Sequence, residues 1–197
     1  MRLSSPLLAL VALVSLSALS GCASGYQYIK NDELGVYARL PDGWAVYDEA
    51  DLNPGASERD LQRQGQVQWL RTFHGGDGEH AVEASLMRNN PVPAGAVLIQ
   101  AVPPRGREIL DLQTMRGRGT AEPVTYDGGY NGIHTVFTVT APGGGEPYVI
   151  DQTVLRNASS SAIILFSVSC TEECYVDTYK DEIADLVDSW TIQEVRS

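Results

Sequence analysis

Positive charge is scarce in this chain. Lysine and arginine together number 14 against 25 aspartates and glutamates, a net charge of −11, so a broad basic surface able to displace counterions from nucleic acid is excluded. Long apolar runs are also missing: the run 7–19 stops at 13 residues, interrupted by Ser15 and Ser17, short of the roughly 20 that a spanning helix needs. There is no Gly-x-Ser-x-Gly nucleophile elbow, and Gly143-Gly144-Gly145 is followed by neither a helical pattern nor Lys-Ser/Thr, so no phosphate cradle is implied. With only three cysteines, no second pair exists to complete a zinc site beside Cys170 and Cys174. What the chain does have is globular composition: 43% apolar and 20% charged residues over 197 positions suit one ordinary domain plus a targeting segment, not disorder.

The amino end carries the most information. Arg2 is the single charge in the first 21 residues, and it precedes an apolar run of signal-peptide length. The run ends in Leu19-Ser20-Gly21-Cys22, which resembles the bacterial lipobox position by position: a branched aliphatic residue, two small residues, then cysteine. The resemblance implies that the Cys22 sulfur receives a diacylglyceryl group and that a dedicated signal peptidase, recognising Leu19, Ser20 and Gly21, cuts before Cys22. The alternative is an ordinary secretory signal cut near Ala18 or Ala23. Two acyl chains hold stably where one is marginal, at about 0.8 kcal/mol per buried methylene. The expected partition is a signal peptide over 1–21, a lipidated tether over 22–26 and a domain over 27–195, with the protein on the extracytoplasmic face of a cell membrane.

If Cys22 is modified, Cys170 and Cys174 remain as a pair. Four residues of straight strand would separate their α-carbons by about 13 Å, too far for a disulfide, whereas one helical turn brings them into range. A bridge therefore requires a turn, and the chain supplies one: the β-rich run ends near Ser169, and Thr171, Glu172 and Glu173 place a cap and negative charge at a helix start. A redox pair is the competing reading, against which stand three intervening residues instead of two.

Strands are expected over 26–30 and 36–40 around the turn 31–33, over 44–47 after the tight turn Pro41-Asp42-Gly43, and over 97–102. A hairpin is expected between 66–73 and 80–88, and short helices over 57–65 and 109–115. The pattern is clearest from 133 onward, where 133–140, 148–156 and 162–169 read as an antiparallel meander whose last strand is apolar on both faces and hence central. Val176, Tyr179, Ile183, Leu186, Val187 and Trp190 recur at helical spacing with acids opposite, and 191–195 reads as a closing strand.

The stretch Gly35-Val36-Tyr37-Ala38-Arg39-Leu40-Pro41-Asp42-Gly43-Trp44 resembles the opening hairpin of PsbP-like domains, including LpqN-type lipoproteins, and 183–192 with Ser189-Trp190 resembles their last helix and strand. The expected fold class is accordingly α+β in a single domain: a mainly antiparallel sheet covered by helices on its faces, an α/β/α sandwich. The resemblance implies a non-enzymatic envelope protein and transfers no catalytic residue.

His74, Asp77, Glu79 and His80 could be imagined as metal ligands, but the glycines between them suit a plain turn, and no metal or cofactor is expected. His134 is read as a surface or packed side chain, and Asn157-Ala158-Ser159 as a turn. Arg105, Arg107, Arg116 and Arg118 cluster within 14 residues and form either a contact for an acidic partner or lipid headgroup, or a solvated loop. The expected function is a lipid-anchored binding or assembly module whose partners are the membrane and an envelope protein or lipid, with no nucleic acid. One alternative is a carrier holding a lipid or small apolar ligand between sheet and helix; another is an envelope hydrolase with an unrecognised site.

Overall fold

The computed structural model describes residues 25–48, 51, 67–75, 90–102, 119–140 and 145–193. The chain opens with β1 (Tyr26–Asn31) and β2 (Val36–Pro41), which pair antiparallel around a turn where Asn31 Oδ1 accepts the Leu34 amide at 3.1 Å and Gly35 takes φ +66°. The expected tight turn follows: the Trp44 amide donates to the Pro41 carbonyl, with Gly43 at φ +94°. Next come β3 (Ala45–Asp48), β4 (Val67–His74), β5 (Ala94–Ala101), β6 (Gly119–Tyr126), β7 (Tyr130–Val139), β8 (Tyr148–Arg156) and β9 (Ala162–Thr171). A π-helical turn over Cys174–Thr178 leads into helix α1 (Lys180–Ser189), and β10 (Thr191–Ile192) closes the order.

Among the described residues these strands form two sheets. A seven-stranded antiparallel sheet runs β3-β4-β5-β9-β8-β7-β6, and a three-stranded sheet runs β1-β2-β10. The expected meander β7-β8-β9 is present, and β9 is central as its two apolar faces require. Its pleat sends Ile164, Phe166, Val168 and Cys170 into the core beside Val97, Ile99 and Leu155. Against that face pack Ile29, Val36, Ala38 and Leu40 of the small sheet together with Ile183 and Leu186 of α1. Trp44, Phe73, Phe166 and Trp190 form a chain of stacked rings through this core, with centroids 6.1, 6.4 and 5.0 Å apart.

This architecture corrects the expected helix-covered α/β/α sandwich. The core face of the large sheet is covered by a second sheet and one helix. The reason lies in the opening hairpin: it is apolar on one side only, so it buries that side as a covering layer instead of extending the large sheet with both faces occupied. Strand β4 lies between two partners. Its residues 71–74 pair with β3 on one edge and β5 on the other. Residues 80–88 lie outside the described residues, as do the expected helices 57–65 and 109–115.

Strand β6 was not anticipated, because Glu122 and Pro123 interrupt its apolar pattern. It forms the outer edge of the large sheet, where a proline costs no ladder hydrogen bond on its open side. A second correction is Val176, which is 47% exposed instead of lying on the buried stripe of the last helix. The π-helical turn, closed by the Tyr179 amide donating to the Cys174 carbonyl, holds an extra residue and rotates Val176 out of phase with Ile183 and Leu186.

Candidate functional site

Strand β8 carries a charged residue at a core-facing position. Asp151 shares a face of the strand with Val149, Thr153 and Leu155, so the pleat directs its carboxylate inward, and it is 3% exposed. Ionised carboxylates are rarely tolerated there without partners. Two are provided: His134 on the neighbouring strand β7 approaches Asp151 Oδ1 with Nε2 at 2.7 Å, and the Tyr175 hydroxyl donates to Oδ2 at 2.6 Å. His134 stands opposite Thr153 in the β7–β8 register, one pleat along from Asp151, which brings ring and carboxylate onto the same face.

Tyr175 is positioned by the disulfide. Cys170 at the end of β9 and Cys174 at the start of the π-helical turn are bonded, with α-carbons 5.9 Å apart. Thr171 Oγ1 accepts the Cys174 amide at 3.3 Å, the capping contact its position implied. The bridge thus ties the turn to the sheet one residue before Tyr175. The hydrogen bond to Asp151 is the main influence raising the His134 pKa above the ordinary imidazole value, with burial opposing it. Burial is the main influence on Tyr175, and the Asp151 carboxylate adds to it, so the phenol is pushed well above its ordinary range and stays protonated. Both directions favour keeping the proton on the partner of the carboxylate, imidazole or phenol.

Beside this triplet runs a groove of about 430 Å³ between α1 and the sheet, lined by Tyr175, Val176, Ile183, Ala184 and Val187, with Asp151, Lys180 and Asp188 also bordering it. A second groove, of about 440 Å³, lies on the other flank of α1 among Tyr28, Tyr37, Arg39, Asp188, Ser189 and Thr191. On the far face of the large sheet Leu98, Gln100, Val154, Ile163 and Leu165 line a smaller hollow of about 170 Å³.

Of the residues singled out in the sequence, the structure brings together Cys170 and Cys174 and gives His134 a partner. Residues Leu19, Ser20, Gly21, Cys22, Arg105, Arg107, Arg116 and Arg118, and also Asp77, Glu79 and His80, lie outside the described residues. His74 ends β4 and is buried, away from the loop position imagined for a ligand. Among the described residues no group of three or more histidine, cysteine or acidic side chains is placed to hold a metal, and no helix is long and apolar enough to cross a membrane. Asp151 and Tyr175 were missed, although one signal was available: Asp151 falls in step with Val149, Thr153 and Leu155 along the middle strand of the expected meander, and an acid on such an apolar face needs a partner.

No family model and no curated protein matches the chain. Among solved structures it is similar to cyanobacterial PsbP from Synechocystis sp. PCC 6803, at 16% identity over 90% of this chain and 99% of that one, with a TM-score of 0.39. It is also similar to the Saccharomyces cerevisiae Ran-binding protein Mog1p, at 10% identity over 85% of this chain and 95% of that one, again with a TM-score of 0.39. A PsbP is thus among the proteins the fold is similar to, at a level that assigns neither family nor activity.

Proposed function

We propose that this chain is an exported cell-envelope protein, anchored through a diacylglyceryl group on Cys22, and that its domain is a non-enzymatic binding or assembly module. The observation that supports this is the closed pairing of Cys170 with Cys174, which leaves Cys22 as the one remaining cysteine of the sequence, directly after Leu19-Ser20-Gly21. A bridged pair suits an oxidising compartment, and an odd cysteine in such a protein needs another fate. Intact mass of the membrane-extracted protein is expected to equal residues 22–197 plus the lipid, and Cys22→Ser is expected to move the protein to the soluble fraction. An unmodified Cys22 thiol, or a Cys22→Ser protein still in the membrane, overturns the reading.

The groove beside α1 favours a second reading, a carrier of a lipid or small apolar molecule. Its volume is that of small-molecule sites, and apolar side chains make up most of its lining. Organic extraction of the purified protein is expected to release a bound lipid in a fixed ratio to protein, and Ala184→Trp, which projects a large ring into the groove, is expected to abolish it. Protein that yields no lipid in native form removes this reading and leaves the first standing.

A further inference from the structure

Resting on the anchoring at Cys22, we infer that the outward face of the small sheet is the surface that lies against the membrane, with Tyr26 and Tyr28 at headgroup level. Cys22 is four residues before Tyr26, so the extended chain between them reaches at most about 14 Å. The end of that tether is fixed in the fold: the Gly25 carbonyl accepts the Asp42 amide at 2.8 Å, beside the turn after β2. A lipid at Cys22 therefore brings the Gly25 end of the β1–β2 hairpin to the bilayer and leaves the domain little freedom to stand away from it.

The side chains on that hairpin suit the position. The β1–β2 register places Tyr28 opposite Arg39 and Lys30 opposite Tyr37, so Tyr26, Tyr28, Lys30, Tyr37 and Arg39 share the face turned away from the core. Tyr28 is 60% exposed and Tyr26 36% exposed, two of the large apolar side chains most open to solvent among the described residues. Phenol rings with an apolar body and a polar tip concentrate at membrane–water boundaries. The Arg39 guanidinium lies 4.4 Å from the centre of the Tyr26 ring, adding a cation at the same level. No outward side chain of β1 or β2 is acidic; of the acids at its margin, Asp32 lies 3.3 Å from Lys30 and Asp185 3.9 Å from Arg39, while Asp188 borders the groove shared by Tyr28, Tyr37 and Arg39. In a chain of net charge −11, a face whose strands present no acid meets less repulsion from anionic lipid than an acidic face would.

The test uses the full lipidated protein in phosphatidylcholine–phosphatidylglycerol vesicles, with an environment-sensitive fluorophore on Lys30→Cys in one preparation and on Ser159→Cys, in the β8–β9 turn, in another. Brominated acyl chains are expected to quench the label at 30 and spare the label at 159. Adding Tyr26→Ser and Tyr28→Ser is expected to remove the quenching at 30 while the protein stays in the vesicle pellet. Equal quenching at 30 and 159 in pelleted protein, or quenching at 30 that survives both tyrosine changes, overturns the orientation and leaves the anchor intact. Protein absent from the pellet overturns the anchor and the orientation with it.

Discussion

Asp151 is 3% exposed, and withdrawing an ionised carboxylate from water costs several kcal/mol unless hydrogen bonds and an opposite charge offset it. His134 and Tyr175 supply that compensation at 2.7 and 2.6 Å. Because the folded-state pKa of His134 lies above the ordinary value of 6.5, folding takes up a proton there. That contribution is complete below the ordinary value and is lost as pH rises through the elevated one. Asp151→Asn is therefore expected to destabilise the domain by about 1–3 kcal/mol, the cost of poorly satisfied buried groups. The deficit should be largest in mildly acidic buffer and should narrow as pH rises, measured by urea denaturation across pH. A deficit independent of pH would mean that the ion pair contributes nothing. The alternation of strand β8 put an acid at an inward position in the sequence; which residues would meet it depended on the β7–β8 register and on the turn beyond β9.

At the scale of elements, the pair Cys170 and Cys174 determines how β9 passes into α1. Closing so short a loop is worth about 2 kcal/mol in the chain-entropy description, so Cys170→Ala with Cys174→Ala is expected to lower stability by at least that much. Oxidised wild type and the double variant can be compared by urea titration. The aromatic chain through the core makes a second expectation: Phe166 is fully buried between Phe73 and Trp190, so Phe166→Ala should cost about 3–5 kcal/mol. A loss below about 1 kcal/mol would show that the neighbouring rings close the gap. The strands β7, β8 and β9 were legible because each has a continuous β-rich pattern between turn-forming residues. β6 was not legible, since an edge strand tolerates proline and charge that would exclude it from the interior. Helix α1 was legible too, but the π-helical turn before it was not, because nothing in a 3.6-residue pattern marks the single added residue that turns Val176 outward.

For the whole molecule, the net charge of −11 sets an expectation for membrane association. Repulsion from anionic lipid gives a chain of this charge no general electrostatic means of attachment. Cys22→Ser protein is accordingly expected to stay in the supernatant of phosphatidylglycerol vesicles in both low and high salt, and binding that appears only at low salt would reveal a basic patch. The sequence by itself determined the need for a turn between Cys170 and Cys174 and the central meander, because each follows from local spacing or from alternation along one strand. Only the tertiary structure decided that a second sheet covers the core face, that Asp151 meets His134 and Tyr175, and that the outward tyrosines of β1 share a face with Arg39. Those outcomes depend on which apolar faces meet and in what register, a choice made among segments far apart in the chain.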